Sequence, residues 1–357
     1  MTRIEQIISK MPEGTGAAVV TDKFNRLYLT GLLASAGTLL ITRQGGSFII
    51  DSRYYEVASN TVKGCKVILQ DRLHEQIAEI LRAQGASTLA LESAACTLKV
   101  RDTYREELEG ITVIEGDWLS DTISEMRRCK TEDELSFIRA AQKITEQTFE
   151  HLLGFIKPGK SEWEIALEAE FFGRRAGAQG VSFSPIIASG ENSSKPHATP
   201  GERKLCHGDF LIIDMGFVVG NFCSDMTRTV AIGAVSEQQR EVYNTVLAAQ
   251  QAAFEKIKPG AVCKDVDSAA RDLIDASPYA GLFGHGLGHS LGMEVHEPPL
   301  AFNTICETTL RPGMVMSVEP GIYLPGKFGV RLEDLVVVTR DGYDNLTAST
   351  KELLIIS

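Results

Sequence analysis

The second half of the sequence repeats itself, and this limits the possible folds more than any other feature. The segment IKPGKSEWEIA at 156–166 returns in outline as IKPGAVCKDVD at 257–267, an offset of 101 residues. HGDFLIIDMG at 207–216 parallels RPGMVMSVEPG at 311–321, with Gly208/Gly313, Gly216/Gly321 and Asp214/Glu319 each 105 apart. A single Lys-Pro-Gly is ordinary turn chemistry. Two motif pairs in the same order at nearly the same offset indicate a duplicated α+β unit whose halves bring equivalent strands to a shared centre.

A chain of 357 residues is too long for one ordinary core, which predicts two domains, 1–125 and 126–357. In the first, residues 16–20, 38–42, 47–51, 66–69 and 88–92 read as strands, and Leu73–Ala83 has helical periodicity. The reading is an α/β domain with a mixed sheet. It holds no cluster of histidines, cysteines or paired carboxylates, which suits a scaffold or gate. Near the boundary Thr131 and Glu134 form a capping-box pattern. Leu135, Ile138, Ile144, Phe149 and Leu152 then predict one long amphipathic helix. Arg127, Arg128 and Lys130 read as a solvated charged face.

Composition serves mainly to exclude. A hydrophobic content of 43% with 23% charged residues belongs to a soluble globular enzyme, not a disordered chain. The net charge of −11 and the lack of a basic run argue against nucleic acid as a partner. No segment reads as a secretory signal or a membrane span, so no membrane partner is expected. The seven cysteines are scattered without a CxxC, which favours reduced thiols in a cytoplasm, packed as small hydrophobes.

Chemistry gathers on four acids. Asp214 follows the apolar run Phe210–Ile213, and Glu319 follows another in MVMSVEPGIY. Asp225 shares a face with Thr227 and Thr229 in a β-rich stretch. Glu333 shares a face with Arg331 in a strand expected to run on through Leu335–Val338. Taken alone, Asp214 is explained by a solvent-facing turn and Asp225 by an arginine partner. Together, two per repeat in matching order, they are hard to explain as solvated groups, since burying an ionised carboxylate costs several kcal/mol unless it is compensated.

Three of the seven histidines, His285, His289 and His296, lie in FGHGLGHSLGMEVHEPP. Gly284, Gly286 and Gly288 argue against a helix there and for a strand or loop close to a site. His197 lies on a loop 17 residues before Asp214, while His74, His151 and His207 read as surface residues. Four carboxylates and an imidazole suit divalent Mn, Co, Fe or Zn, without thiolate to select zinc. Two dications balance four carboxylates, and a pair about 3.5–4 Å apart acidifies a shared water and polarises a carbonyl, as amide hydrolysis requires.

These motifs closely resemble the methionine aminopeptidase/prolidase/aminopeptidase P family of pita-bread fold metallopeptidases. The resemblance is carried by IDMG (213–216), CSDMTRT (223–229), HGLGHSLGMEVHE (285–297), SVEPGIY (317–323) and VRLEDLVVVT (330–339). YLTGLLASAGTLLIT (28–42) and IIDSRYYEVA (49–58) are similar to the N-terminal domain of the prolidase, aminopeptidase P and creatinase branch. The resemblance implies a creatinase-type α/β N-terminal domain followed by an α+β pita-bread catalytic domain. It implies Asp214 as ligand of one metal, His289 and Glu319 of the other, and Asp225 and Glu333 as bridges. Glu319 is implied as general acid/base, and His197, His285 and His296 as groups that bind the substrate carbonyl and stabilise the tetrahedral intermediate. Arg331 is implied to order the site and contact substrate. Ser290, where many relatives carry glycine, is expected to alter the pocket wall.

The implied activity is Xaa-Pro cleavage at peptide N-termini by a cytoplasmic homodimer using two divalent ions, manganese foremost. The leaning is to an aminopeptidase P, with a dipeptide-restricted prolidase as the alternative. A metal-free creatinase-like hydrolase and an inactive binding module are further alternatives, both disfavoured because all five ligand positions are filled.

Overall fold

The computed structural model describes residues 1–297 and 300–357. Pro298 and Pro299, the last two residues of the glycine- and histidine-rich segment, lie outside the described residues. The chain divides into two compact units, Met1–Arg127 and Arg128–Ser357.

In the first unit, strands β1 (Ala17–Val20), β2 (Thr38–Thr42), β3 (Gly45–Ile50), β4 (Cys65–Leu69), β5 (Thr88–Leu91) and β6 (Thr112–Ile114) form one sheet in the order β4-β3-β2-β1-β5-β6. Helices α1–α6 (Arg3–Ser9, Lys23–Thr30, Ser52–Thr61, Leu73–Ala83, Leu98–Glu107, Trp118–Arg128) connect and flank them along the chain. The sheet is mixed as expected: β1-β2-β3 are antiparallel, while β3-β4, β1-β5 and β5-β6 are parallel. The five anticipated strands and α4 all form. β6, only three residues long, and the other five helices were not foreseen. Their patterns are short and largely polar; α5, for instance, buries only Tyr104.

The second unit is built twice. Its first half runs α7 (Glu132–Phe155), α8 (Glu162–Arg175), β7 (Gly180–Val181), β8 (Ile186–Ser189), β9 (Phe210–Met215), β10 (Phe217–Val219), β11 (Phe222–Cys223) and β12 (Met226–Ile232). Its second half runs α9 (Glu237–Phe254), α10 (Cys263–Asp275), β13 (Gly288–His289), β14 (Ala301–Phe302), β15 (Val315–Val318), β16 (Gly321–Leu324), β17 (Phe328–Arg331) and β18 (Asp334–Val338).

The repeat seen in the sequence is a repeat of hydrogen bonds. Gly159 N donates to Leu205 O, and Gly260 N to Leu310 O, both at 2.9 Å. The two glycines have φ of 87° and 82°, a left-handed turn that only glycine adopts without strain. Ser161 bridges Lys204 as Val262 bridges Thr309. In each half an antiparallel strand pair, β9 with β12 and β15 with β18, lies at the centre.

Helix α7 begins on the expected capping box, Thr131 with Glu134, and buries Leu135, Ile138, Ile144, Phe149 and Leu152. The charged face predicted just before it needs correction. Lys130 is buried and pairs with Glu297 at 2.9 Å, and Arg127 donates to Asn25 Oδ1 at 2.7 Å. Two of the three histidines read as surface residues are half-buried as well. His74 packs edge-on against Tyr104, and His151 bonds Glu168 while stacking on Phe172; His207 alone of the three is exposed. A charge or an imidazole gives no sequence signal of the partner that covers it.

Candidate active site

The two central strand pairs bring the four acids together. Asp214 lies inside β9 rather than after it, opposite Ile186 of β8 on one side and Thr227 of β12 on the other. Asp225 immediately precedes β12, and Glu319 follows the last residue of β15. The strand expected to run unbroken from Arg331 to Val338 is interrupted at Leu332–Glu333: β17 pairs with β16, and β18 with β15. Glu333 sits at that break, its N–H donating to Thr227 O at 3.1 Å. Arg331 N and O also meet Thr229 Oγ1, and buried Arg228 donates to Glu333 O and pairs with Asp334. The end of one repeat is thereby fastened to β12 of the other.

All nine residues anticipated for the site (His197, Asp214, Asp225, His285, His289, His296, Glu319, Arg331 and Glu333) line one cavity of about 550 Å³. His289 Nε2 lies 3.4 Å from Glu319 Oε1 and 3.6 Å from Asp225 Oδ2. Asp225, His289 and Glu333 present ligand atoms within 4.8 Å of one another. Asp214 is turned toward Arg331, whose Nη2 donates to its Oδ2 at 2.5 Å. Gly288 permits the approach of the histidine strand, because a Cβ there would fall 2.0 Å from Ser317 O. Ser290 takes no part in the cavity wall, contrary to expectation. Its hydroxyl donates to Glu297 O instead, tying the strand to the segment that bears His296.

Three supporting residues were not foreseen. Thr227 Oγ1 donates to Glu333 Oε2 at 2.7 Å and accepts from Arg331 Nε, and Ser317 Oγ donates to Glu319 Oε1 at 3.1 Å. Tyr323 OH accepts from Arg331 Nη1 at 2.8 Å and lies 3.0 Å from His285 Nε2. His285 Nδ1 faces Gly286 O, which can only accept, so Nδ1 carries the proton and Nε2 accepts from Tyr323. Thr227 was visible only as a neighbour of Asp225 on a strand face, and Tyr323 only as the end of SVEPGIY. Neither residue type marks a site by itself.

The electrostatics fit a cation centre. Burial pushes Glu319 up to about 7, and burial with neighbouring carboxylates drives Asp225 and Glu333 well above the carboxylate range. Burial and then His296 hold His289 down to about 3, a neutral imidazole with a free lone pair. Among the described residues, Asp214 Oδ1 and Asp225 Oδ1 are buried with no hydrogen-bond partner. Orphaned, desolvated oxygens beside a neutral histidine are a donor set that a hard or borderline dication satisfies. The charge count needs one amendment. Arg331 offsets one of the four carboxylates, so charge balance alone no longer dictates two ions.

The family comparison agrees with this geometry. Residues 136–340 match the model of metallopeptidase family M24, and residues 3–129 match the creatinase/prolidase N-terminal domain. The chain belongs to metallopeptidase family M24. Like other M24 members with this N-terminal domain it has the pita-bread catalytic fold, and it is a hydrolase. The chain is 34% identical to an Xaa-Pro dipeptidase of Pyrococcus furiosus, over 99% of both chains. A solved Xaa-Pro dipeptidase from Bacillus anthracis superposes with a TM-score of 0.94 at 36% identity, covering 99% of this chain and 98% of that one. An X-Pro aminopeptidase from Thermotoga maritima superposes at 0.91 with 32% identity, covering 99% and 100%. M24 membership implies divalent metal, and the Asp225, His289 and Glu333 group is a candidate place for it. No helix among the described residues is long and apolar enough to cross a membrane.

Proposed function

We propose that the chain is an Xaa-Pro dipeptidase whose metals are held by Asp214, Asp225, His289, Glu319 and Glu333. The observation that carries the metal reading is the pair of buried, partnerless oxygens on Asp214 and Asp225 among four carboxylates. The similarity to proteins named Xaa-Pro dipeptidase supports the choice of substrate and moves the emphasis from aminopeptidase P to prolidase. In this reading Asp225 and Glu333 would be ligands common to both ions, Asp214 would serve one of them, and His289 and Glu319 would serve the other.

When bound, the ions supply Lewis-acid polarisation of the scissile carbonyl and acidify water. Glu319 accepts the proton of the attacking water and returns it to the proline nitrogen. A tertiary amide nitrogen leaves only once protonated, and a carboxylate beside the nucleophile is placed for both transfers. His197 and His296 donate to the carbonyl oxygen as it gains charge. His285, occupied by Gly286 O and Tyr323, acts with Tyr323 and Arg331 as the wall that fixes Asp214.

A second reading, the aminopeptidase, is favoured by one observation. Each nitrogen of Arg331 already donates within the site, to Thr227, Pro196 O, Tyr323 or Asp214, so its charge is committed before a substrate carboxylate arrives. Hydrolysis of Ala-Pro against Ala-Pro-Ala separates the readings. Preference for the dipeptide supports the first and preference for the tripeptide the second; inertness toward both, with metal supplied, refutes the function. Manganese as the native ion, a cytoplasmic location and a homodimer are carried as parts of the same proposal, supported by the family resemblance and the scattered thiols.

A further inference from the structure

Helix α10 carries an ion pair that faces the back of the histidine loop. Asp267 is fully buried, and Arg271, one turn later, grips it with two hydrogen bonds of 2.8 and 2.9 Å. A bidentate arginine–carboxylate pair has fixed planar geometry, so it presents its remaining donors and acceptors in set directions. Arg271 Nη1 donates to Phe283 O at 2.9 Å and Nη2 to His285 O at 2.7 Å. Asp267 Oδ1 accepts from Leu287 N at 3.0 Å. Three alternate residues of one loop are thus held by one pair of side chains.

Both ends of this grip reach the proposed chemistry. Leu287 O accepts the N–H of Glu319 at 2.8 Å, so the main chain fixed by Asp267 also fixes the base. The guanidinium lies 4.4 Å over the ring of Phe283, which meets the His285 ring edge-on at 5.0 Å. The glycines Gly284, Gly286 and Gly288 leave this loop without the backbone stiffness to hold His285 by itself.

We infer that Asp267 and Arg271 are positioning residues for the reaction, clamping the Phe283–Leu287 main chain so that His285 meets Tyr323 and Glu319 meets the substrate. Neither side chain is among those lining the cavity, and both act through the loop. The inference rests on the hydrolase reading of the site, and its test includes a readout that does not.

The test uses the full-length protein and its Arg271→Ala and Arg271→Lys variants, loaded with manganese for turnover and with diamagnetic zinc for spectra. Turnover of Arg271→Ala is expected to fall about 10–100-fold, the penalty for misplacing a reacting group by about 1 Å, with KM changed far less and metal content unchanged. Millimolar guanidinium is expected to restore part of the loss. Arg271→Lys keeps the cation beside Asp267 but cannot reach Phe283 O and His285 O together, so it should fold and still lose turnover. Independently of activity, 15N spectra of the histidine side chains should show the Nδ1–H tautomer of His285 in the native protein and its loss in both variants. Native turnover with an unchanged His285 signal in Arg271→Lys would overturn the inference, whatever the fate of Arg271→Ala. If the native protein cleaves neither peptide, the Xaa-Pro reading falls, and the 15N spectra still decide the clamp.

Discussion

The two halves of the second unit share a scaffold and differ in how they hold their acids. The first half contributes aspartates, and Asp214 and Asp225 each leave one buried oxygen without a partner. The second half contributes glutamates, each with one oxygen fixed by a hydroxyl: Glu319 by Ser317 and Glu333 by Thr227. Asp214, inside β9, has its other oxygen gripped by Arg331, and Asp225 sits just before β12, so each short side chain keeps one oxygen open for a ligand. A longer side chain needs a prop, and two of the three unforeseen residues supply it. The duplication therefore accounts for the scaffold, and the hydroxyls account for the order within the site.

The comparison is broken most severely at Glu319. Glu319→Gln keeps the shape and the Ser317 contact but removes the base, so turnover should fall about 10²–10⁴-fold in a folded protein; a steady-state assay with matched metal content checks this. On the aspartate side, Asp225→Asn should weaken metal binding by more than the roughly 10–100-fold typical of supporting residues, measured by competition with a chelator. The same variant should melt higher than the native protein once both are stripped of metal, because an amide, unlike the Asp225 carboxylate, does not have to take up a proton on folding. A gain of about 1 kcal/mol corresponds to about 2–4 °C for a unit the size of Arg128–Ser357.

The glutamate side is sharpened by Thr227→Val, which removes the hydroxyl shared by Glu333 and Arg331. Loss of a net hydrogen-bond contribution of about 1 kcal/mol predicts about a five- to tenfold fall in kcat/KM. The mildest test is pH. Without ions, burial pushes Glu319 up to about 7, so it is part-protonated near neutral pH, and burial with neighbouring carboxylates makes Asp225 and Glu333 keep their protons to higher pH than ordinary carboxylates. His289 and His285, lowered to about 3 and about 4, hold none there to release. Metal binding must displace protons from the acids, so apparent affinity should rise with pH up to and beyond 7. Calorimetry in two buffers of different ionisation enthalpy should show proton release at neutral pH.

Much of this arrangement was legible in the sequence for a physical reason. Acids embedded in apolar strands, such as Asp214 after Phe210–Ile213, stand out because burial of charge is rarely tolerated without function. The repeat then brought them to a common centre. What was not legible depends on contacts between distant segments. Lys130 reads as solvated until Glu297, 167 residues away, covers it. The run Val330–Val338 reads as one strand because periodicity does not reveal that its two ends pair with different neighbours. Ser290 read as part of the pocket wall, but its hydroxyl turns to Glu297 O.

The central claim is that these four acids and His289 hold metal ions, and elemental analysis of the full-length protein tests it most directly. After saturation with manganese and removal of loosely held ions, the account predicts two ions per chain, the number a bridged carboxylate centre holds. A folded protein that retains none would contradict it.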